Sequence, residues 1–202
     1  MKVVCTNPNN ATREMKKFMI AVSDFSMPVH MRKMPYQHGE GFACSIPYAH
    51  IGKKTIAQFD ALEFFYDVSI RKNPYYSDEF TRWVHKERSY ARGFASVTLC
   101  LLHEMGHYYT VKEVLANNPQ YNRGAEIFKI CCKARLCENS NYEANRLYQQ
   151  LPDEKAATDW ALDWLADAEH RKIAKAFERK FFANYEKGLD KALFVCYNKD
   201  TK

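Results

Sequence analysis

The sequence predicts an α+β fold, and three observations carry that expectation. An amphipathic helix lies near the N-terminus. A stretch from about residue 29 to 70 follows, rich in strand-forming residues and punctuated by turn signals. From Ser89 onward the apolar residues recur at helical spacing. The expected architecture is a small antiparallel sheet, a site-bearing helix and several C-terminal helices.

The first helix covers residues 11 to 24, where Met15, Phe18, Met19 and Val22 share one face, and Pro28 stops it. Val29 to Met34 alternates short apolar and basic residues and reads as a strand. Gly39-Glu40-Gly41 marks a turn, and Phe42 to Ile51 reads as a second strand edged by Pro47. Thr55 to Ile70 is dense in Phe, Tyr, Ile and Val and reads as a strand or a short helix, the aromatic content favouring the strand, and Asn73-Pro74 ends it. An edge of such a sheet offers an extended peptide a place to pair.

The helix beginning near Ser89 runs through His107 to about Leu115, where Asn117-Asn118-Pro119 breaks it. No charge occurs from Gly93 to Leu102, so this helix is expected to be buried nearly all round. Further helices are expected over Arg123 to Leu136, Asn141 to Leu151, Pro152 to Asp167 and Glu169 to Leu193. There is no internal repeat or low-complexity linker, so residues 1–202 read as one domain. Its parts are a helix plus sheet (1–88), site helices (89–168) and a basic helical segment (169–202).

With 47% hydrophobic and 27% charged residues, the 202-residue chain has the profile of a folded protein with a real core. Part of its formal charge of +6 sits between His170 and Lys202, which leaves an acidic or nucleic-acid partner open but reads more simply as a solvated helix face. The seven cysteines (Cys5, Cys44, Cys100, Cys131, Cys132, Cys137 and Cys196) contain no C-x-x-C pair, and Cys131, Cys132 and Cys137 lack finger-type ligand spacing. Reduced thiols in a cytoplasmic protein are the expectation. Met1 to Thr12 shows no signal-peptide pattern, and no apolar run approaches a membrane span.

His103-Glu104-Met105-Gly106-His107 carries the chemistry. Two imidazoles four residues apart on a helix share a face and can reach one Zn²⁺, while the glutamate between them is placed to act on a water at that ion. A catalytic zinc takes three protein ligands. A third histidine six residues after His107 is excluded, because that position is Glu113, and Thr110 stands where the long pattern requires glycine. Three later residues compete. Glu154 heads an apolar stripe of Ala157, Ala161 and Leu165, where an ionised group is costly unless paired or metal-bound. His170 shares a stripe with Ile173, Ala174, Phe177 and Phe181, and Glu143 lies at the edge of a stripe formed by Ala144, Leu147, Tyr148 and Leu151. The stripe argument favours Glu154.

From His103, Glu104 and His107 to Glu154, Ala157, Trp160 and Ala161, the chain resembles the gluzincin branch of zinc peptidases. It is most similar to the small zincins of the ImmA/IrrE kind and to related proteins of phages and mobile elements. The resemblance covers about residues 89 to 166 and implies a zincin-like fold, with Glu154 as third zinc ligand. The family places Asn or Asp four residues after that ligand to orient a histidine. Here the position is Thr158, with Asp159 next, so the sequence leaves the orienting group open.

Two functions follow as expectations. The first is a zinc metallopeptidase acting on a specific protein or peptide substrate, phage- or mobile-element-encoded as the resemblance suggests, with Glu104 as general base. The second is a zincin-fold binding protein whose zinc is not catalytic. Glu104 favours the first, since binding alone needs no base there. Tyr108, Tyr109 and Tyr148 are available to stabilise an oxyanion, and the sequence selects none of them.

Overall fold

The computed structural model describes side chains for residues 13–22, 80–86, 88–136 and 142–184. Of these residues 85% are helical and none lies in a strand. The fold is therefore mostly helical, and the expected α+β class with a small antiparallel sheet is corrected. The physical reason is that the buried cluster among the described residues is drawn from helices and the turn leading into α3, so it closes helix against helix. The strands expected between Val29 and Ile70, with their peptide-binding edge, lie outside these residues. There the backbone alone is described, as short extended segments.

The helices are α1 (Asn10–Val22), α2 (Glu79–Glu87), α3 (Ser96–Asn117), α4 (Arg123–Ala134), α5 (Ser140–Tyr148), α6 (Pro152–Ala166) and α7 (Ala168–Tyr197). The sequence reading gave α2 no helix, although Phe80, Trp83 and Val84 turn toward the core. It also started α3 too early. A 3₁₀ turn over Ser89–Ala91 comes first, and Ala95 is the extended residue from which α3 begins.

That start lacks a side-chain cap of its own. Glu178 of α7 replaces it: its Oε1 accepts the backbone N–H of Ala95 at 2.6 Å and the hydroxyl of Thr98 at 2.7 Å. The carboxylate thus satisfies the backbone donor of Ala95 at the helix start and adds negative charge at the positive end of the dipole. α7 is held to the head of α3 in the process.

α3 is buried all round from Val97 to His107, as its uncharged sequence predicts. Cys100 packs within it as a small hydrophobe. Leu99, Leu101, Leu102 and Met105 join Met15, Phe18 and Met19 of α1, Leu162 and Leu165 of α6, and Phe177 and Phe181 of α7 in one cluster. Each fully buried large side chain contributes on the order of 1.5–3 kcal/mol, so this cluster fixes how α3 and α6 face each other. Phe18 stacks on Phe177, with ring centroids 4.4 Å apart, joining α1 to α7.

The most extensive helix contact is between α3 and α6. At Gly106 the two backbones approach so closely that a Cβ would stand 2.9 Å from both the Cα and the carbonyl carbon of Ala157. Real Cβ atoms essentially never come that close to backbone, so only glycine allows this approach. Among the described residues, no helix is long and apolar enough to cross a membrane.

Candidate metal centre

The Gly106–Ala157 contact decides where the site forms. On α3 it lies one turn from His103 and one residue before His107. On α6 it lies between Glu154 and Thr158, which share a face at i, i+4. Close backbone approach therefore brings His103, His107 and Glu154 together, all buried, with one candidate ligand atom from each within 4.8 Å of the others.

Glu154 Oε2 is 3.0 Å from His103 Nε2 and 3.6 Å from His107 Nε2. Donors on a tetrahedral zinc at about 2.0–2.1 Å are separated by about 3.3 Å, between these two values. Two imidazoles and one carboxylate are also a donor set that catalytic zinc uses. The donor types suit the ion, and these two distances bracket the separation it would require.

Thr158 fills the position that the sequence left open. Its Oγ1 is 3.0 Å from His103 Nδ1, and both groups are buried. When Nδ1–H donates to this hydroxyl, the neutral ring is left with its lone pair on Nε2, the tautomer that a metal ligand at Nε2 requires. The Phe80 ring packs at 4.8 Å against the His103 ring. His107 Nδ1 is buried and has no hydrogen-bond partner among the described residues.

Around Glu154 lies a polar group that sequence reasoning missed. Arg123, the first residue of α4, places Nη2 2.5 Å from Glu154 Oε1 and 2.5 Å from the Tyr148 hydroxyl, and its Nη1 hydrogen-bonds Asp153 Oδ2. Asp153 also accepts from the Tyr121 hydroxyl at 2.5 Å. Asn122 caps α4 by accepting from the backbone N–H of Ala125, which holds Arg123 at the start of that helix. A sequence signal existed: Asp153 and Glu154 are adjacent acids in a first turn whose stripe faces the core, and buried acids require a partner. Nothing in the spacing said that the partner comes from α4.

These contacts set the electrostatics. Burial pushes the Glu154 carboxyl up, but hydrogen bonds from His103 and His107, together with their charge, override it and hold the group well below its usual range. For Arg123, burial works against the charged form, while Glu154, Tyr148 and Asp153 outweigh it and raise its pKa, so the guanidinium stays charged. Burial and the negative charge of Glu154 both push the Tyr148 phenol up, so it remains protonated.

Glu104 is buried on the same helix as the two histidines, and its charge acts on the Tyr148 hydroxyl. Of the three tyrosines named from sequence, Tyr148 is the one beside Glu154 and Arg123. Tyr109 instead stacks on Trp160 at 4.7 Å, and Tyr108 packs edge-on against Tyr109.

The two rival ligands lie elsewhere. The His170 ring stacks on Trp164 with centroids 4.3 Å apart, and its Nδ1 is 2.9 Å from the Trp164 carbonyl oxygen. Its supposed stripe is also broken by the exposed Ile173. Glu143 forms an i, i+3 pair with Arg146 at 2.8 Å near the surface. Cys131 and Cys132 are exposed and not disulfide-bonded, while Cys5, Cys44, Cys137 and Cys196 fall outside the residues described with side chains, as does the basic segment beyond residue 184.

No family model, curated protein or solved structure matches this chain.

Proposed function

We propose that the protein is a zinc metallopeptidase that hydrolyses a peptide bond in a specific protein substrate. The observation that carries this reading is the convergence of His103, His107 and Glu154 with Glu104 on the histidine helix. The resemblance of residues 89 to 166 to the gluzincins supports it separately.

In this reading His103, His107 and Glu154 hold the ion. A zinc ion held by these residues would supply Lewis-acid chemistry and would acidify water at the site toward a pKa of ~7. Glu104 takes the proton from the attacking water and later passes it to the departing amine. Thr158 keeps the His103 ring turned for binding. Tyr148, kept protonated by burial and by Glu154, is the phenol of the three that lies beside Glu154, and we assign it the donation to a developing oxyanion on that ground. We propose a cytoplasmic location, and the exposed, unbridged Cys131 and Cys132 are compatible with it.

The test pairs metal analysis with Glu104→Gln. The wild type is expected to hold one zinc per chain and to cleave a substrate found by proteomic comparison of cell extracts incubated with each protein. Glu104→Gln is expected to keep the zinc and lose the cleavage, because an amide cannot accept the proton. Equal cleavage by both proteins overturns the mechanism. Zinc binding with no cleavage of any protein and an unchanged biological role in Glu104→Gln favours a binding protein with a non-catalytic zinc.

A further inference from the structure

A carboxylate has two oxygens, and a metal ligand that uses one behaves differently from one that uses both. Glu154 is divided between two sets of partners. Oε2 faces His103 Nε2 and His107 Nε2, whereas Oε1 accepts from Arg123 Nη2 at 2.5 Å. Resting on the metal-centre reading above, we propose that Arg123 is a positioning residue that occupies Oε1 and so restricts Glu154 to a single ligating oxygen, keeping the centre four-coordinate.

Arg123 is itself held in place. Nη1 is bound by Asp153 Oδ2, the other oxygen of Asp153 is bound by Tyr121, and the Tyr148 hydroxyl accepts from Nη2. The Arg123 guanidinium also lies over the Tyr148 ring, 5.3 Å from its centroid. A planar guanidinium can engage two adjacent carboxylates at once, with one nitrogen for each, and a lysine ammonium cannot reproduce that fork. Asp153 and Glu154 are consecutive in the first turn of α6, so the fork fixes both the carboxylate plane and the helix end that carries it. A merely structural staple between α4 and α6 would require the Asp153 contact alone. The contact to Oε1 of the ligand is the additional feature, and it bears on coordination.

The experiment uses the full chain loaded with Zn²⁺ or Co²⁺. Zinc affinity is read by competition with a chromophoric chelator, and coordination number by the visible absorption of the Co²⁺ form, whose bands weaken when four ligands become five. Wild type is expected to bind one ion and to give the intense four-coordinate spectrum. Arg123→Gln is expected to bind zinc about 10–100-fold more weakly, the usual effect of removing a group that orients a metal ligand. It is also expected to show weakened Co²⁺ bands as the released Oε1 reaches the ion. Arg123→Lys retains the charge and serves if Arg123→Gln loses helicity; a smaller loss of affinity with the same spectral change is expected. Affinity and spectrum both unchanged in either folded variant overturn the proposal while leaving the metal centre intact. Failure of the wild type itself to bind zinc or Co²⁺ overturns the metal-centre reading, and the role of Arg123 with it.

Discussion

Gly106 rests against the backbone of Ala157 so closely that a Cβ on Gly106 would be 2.9 Å from the Ala157 Cα. Glycine in a helix interior costs about 1 kcal/mol relative to alanine, so its use at the centre of α3 requires a return elsewhere. The return is proximity. With α6 this near, Glu154 and Thr158 reach the two histidines of α3, which a wider helix spacing would leave out of range.

Gly106→Ala is therefore expected to destabilise the protein despite the better helix propensity of alanine. The new methyl meets backbone atoms, which cannot swing aside as a flexible side chain can. Overpacking of this kind costs about 1–3 kcal/mol. Thermal unfolding should show a lower Tm, and chelator competition should show weaker zinc binding as α6 is displaced. An unchanged Tm would mean that the helices separate without penalty, and the spacing argument would fall.

Glu154→Ala is expected to abolish tight zinc binding, whereas His170→Ala leaves stoichiometry and affinity unchanged. Glu154 is 2% exposed with both oxygens engaged at the site, whereas His170 stacks on Trp164 away from it. His170→Ala should instead lower the Tm by removing the ring that covers Trp164. Loss of the metal in His170→Ala, with retention in Glu154→Ala, would reverse the ligand assignment.

The candidate site was more legible in the sequence than the fold. His103, Glu104 and His107 are local in the chain and obey helical spacing, and Glu154 is marked by an acid on an apolar stripe; both signals survive without knowledge of tertiary contacts. The aromatic and β-branched stretch from Thr55 to Ile70 pulled the fold class toward a sheet, but the core around the site is filled by Met15, Phe18, Phe177 and Phe181 from the two terminal regions of the chain. Which distant helices cover a buried helix is a tertiary property, and α3, buried all round from Val97 to His107, carries no preferred face there to suggest it. Arg123 was illegible for the same reason: its role depends on where α4 lies relative to α6.

The first turn of α7 supplies a pH-dependent prediction distant from the metal centre. Asp167 Oδ1 accepts the backbone N–H groups of Glu169 at 2.7 Å and His170 at 3.0 Å, an N-cap arrangement. Those two hydrogen bonds, His170 first, hold its carboxyl below the ordinary value of 3.8. A depressed folded-state pKa means that the unfolded chain takes up the proton first. The stabilisation is complete above the ordinary value and is lost as pH falls through the folded one. Asp167→Ala should therefore unfold at a lower temperature than wild type by a constant margin from pH 7 down to about pH 5, with the margin narrowing below about pH 4. A margin that persists unchanged into strong acid would show that the charged cap is not its source.

Thr158 tests whether its hydroxyl orients the His103 ring. Its Oγ1 lies 3.0 Å from His103 Nδ1 in a buried contact, so Thr158→Val removes one polar atom at nearly constant volume and leaves Nδ1 without that partner. With the hydroxyl gone, the imidazole loses the bond that selects its tautomer and ring orientation, and zinc affinity is expected to fall about 10–100-fold. Thr158→Ser keeps the hydroxyl and loses only a methyl, so its zinc affinity should stay near that of wild type even if the Tm drops by a few degrees. The pair separates orientation from packing. If Val and Ser weaken zinc equally, the methyl group rather than the hydroxyl supports the site. If neither weakens it, His103 is held by the rings beside it, and Phe80, 4.8 Å away, is the next substitution.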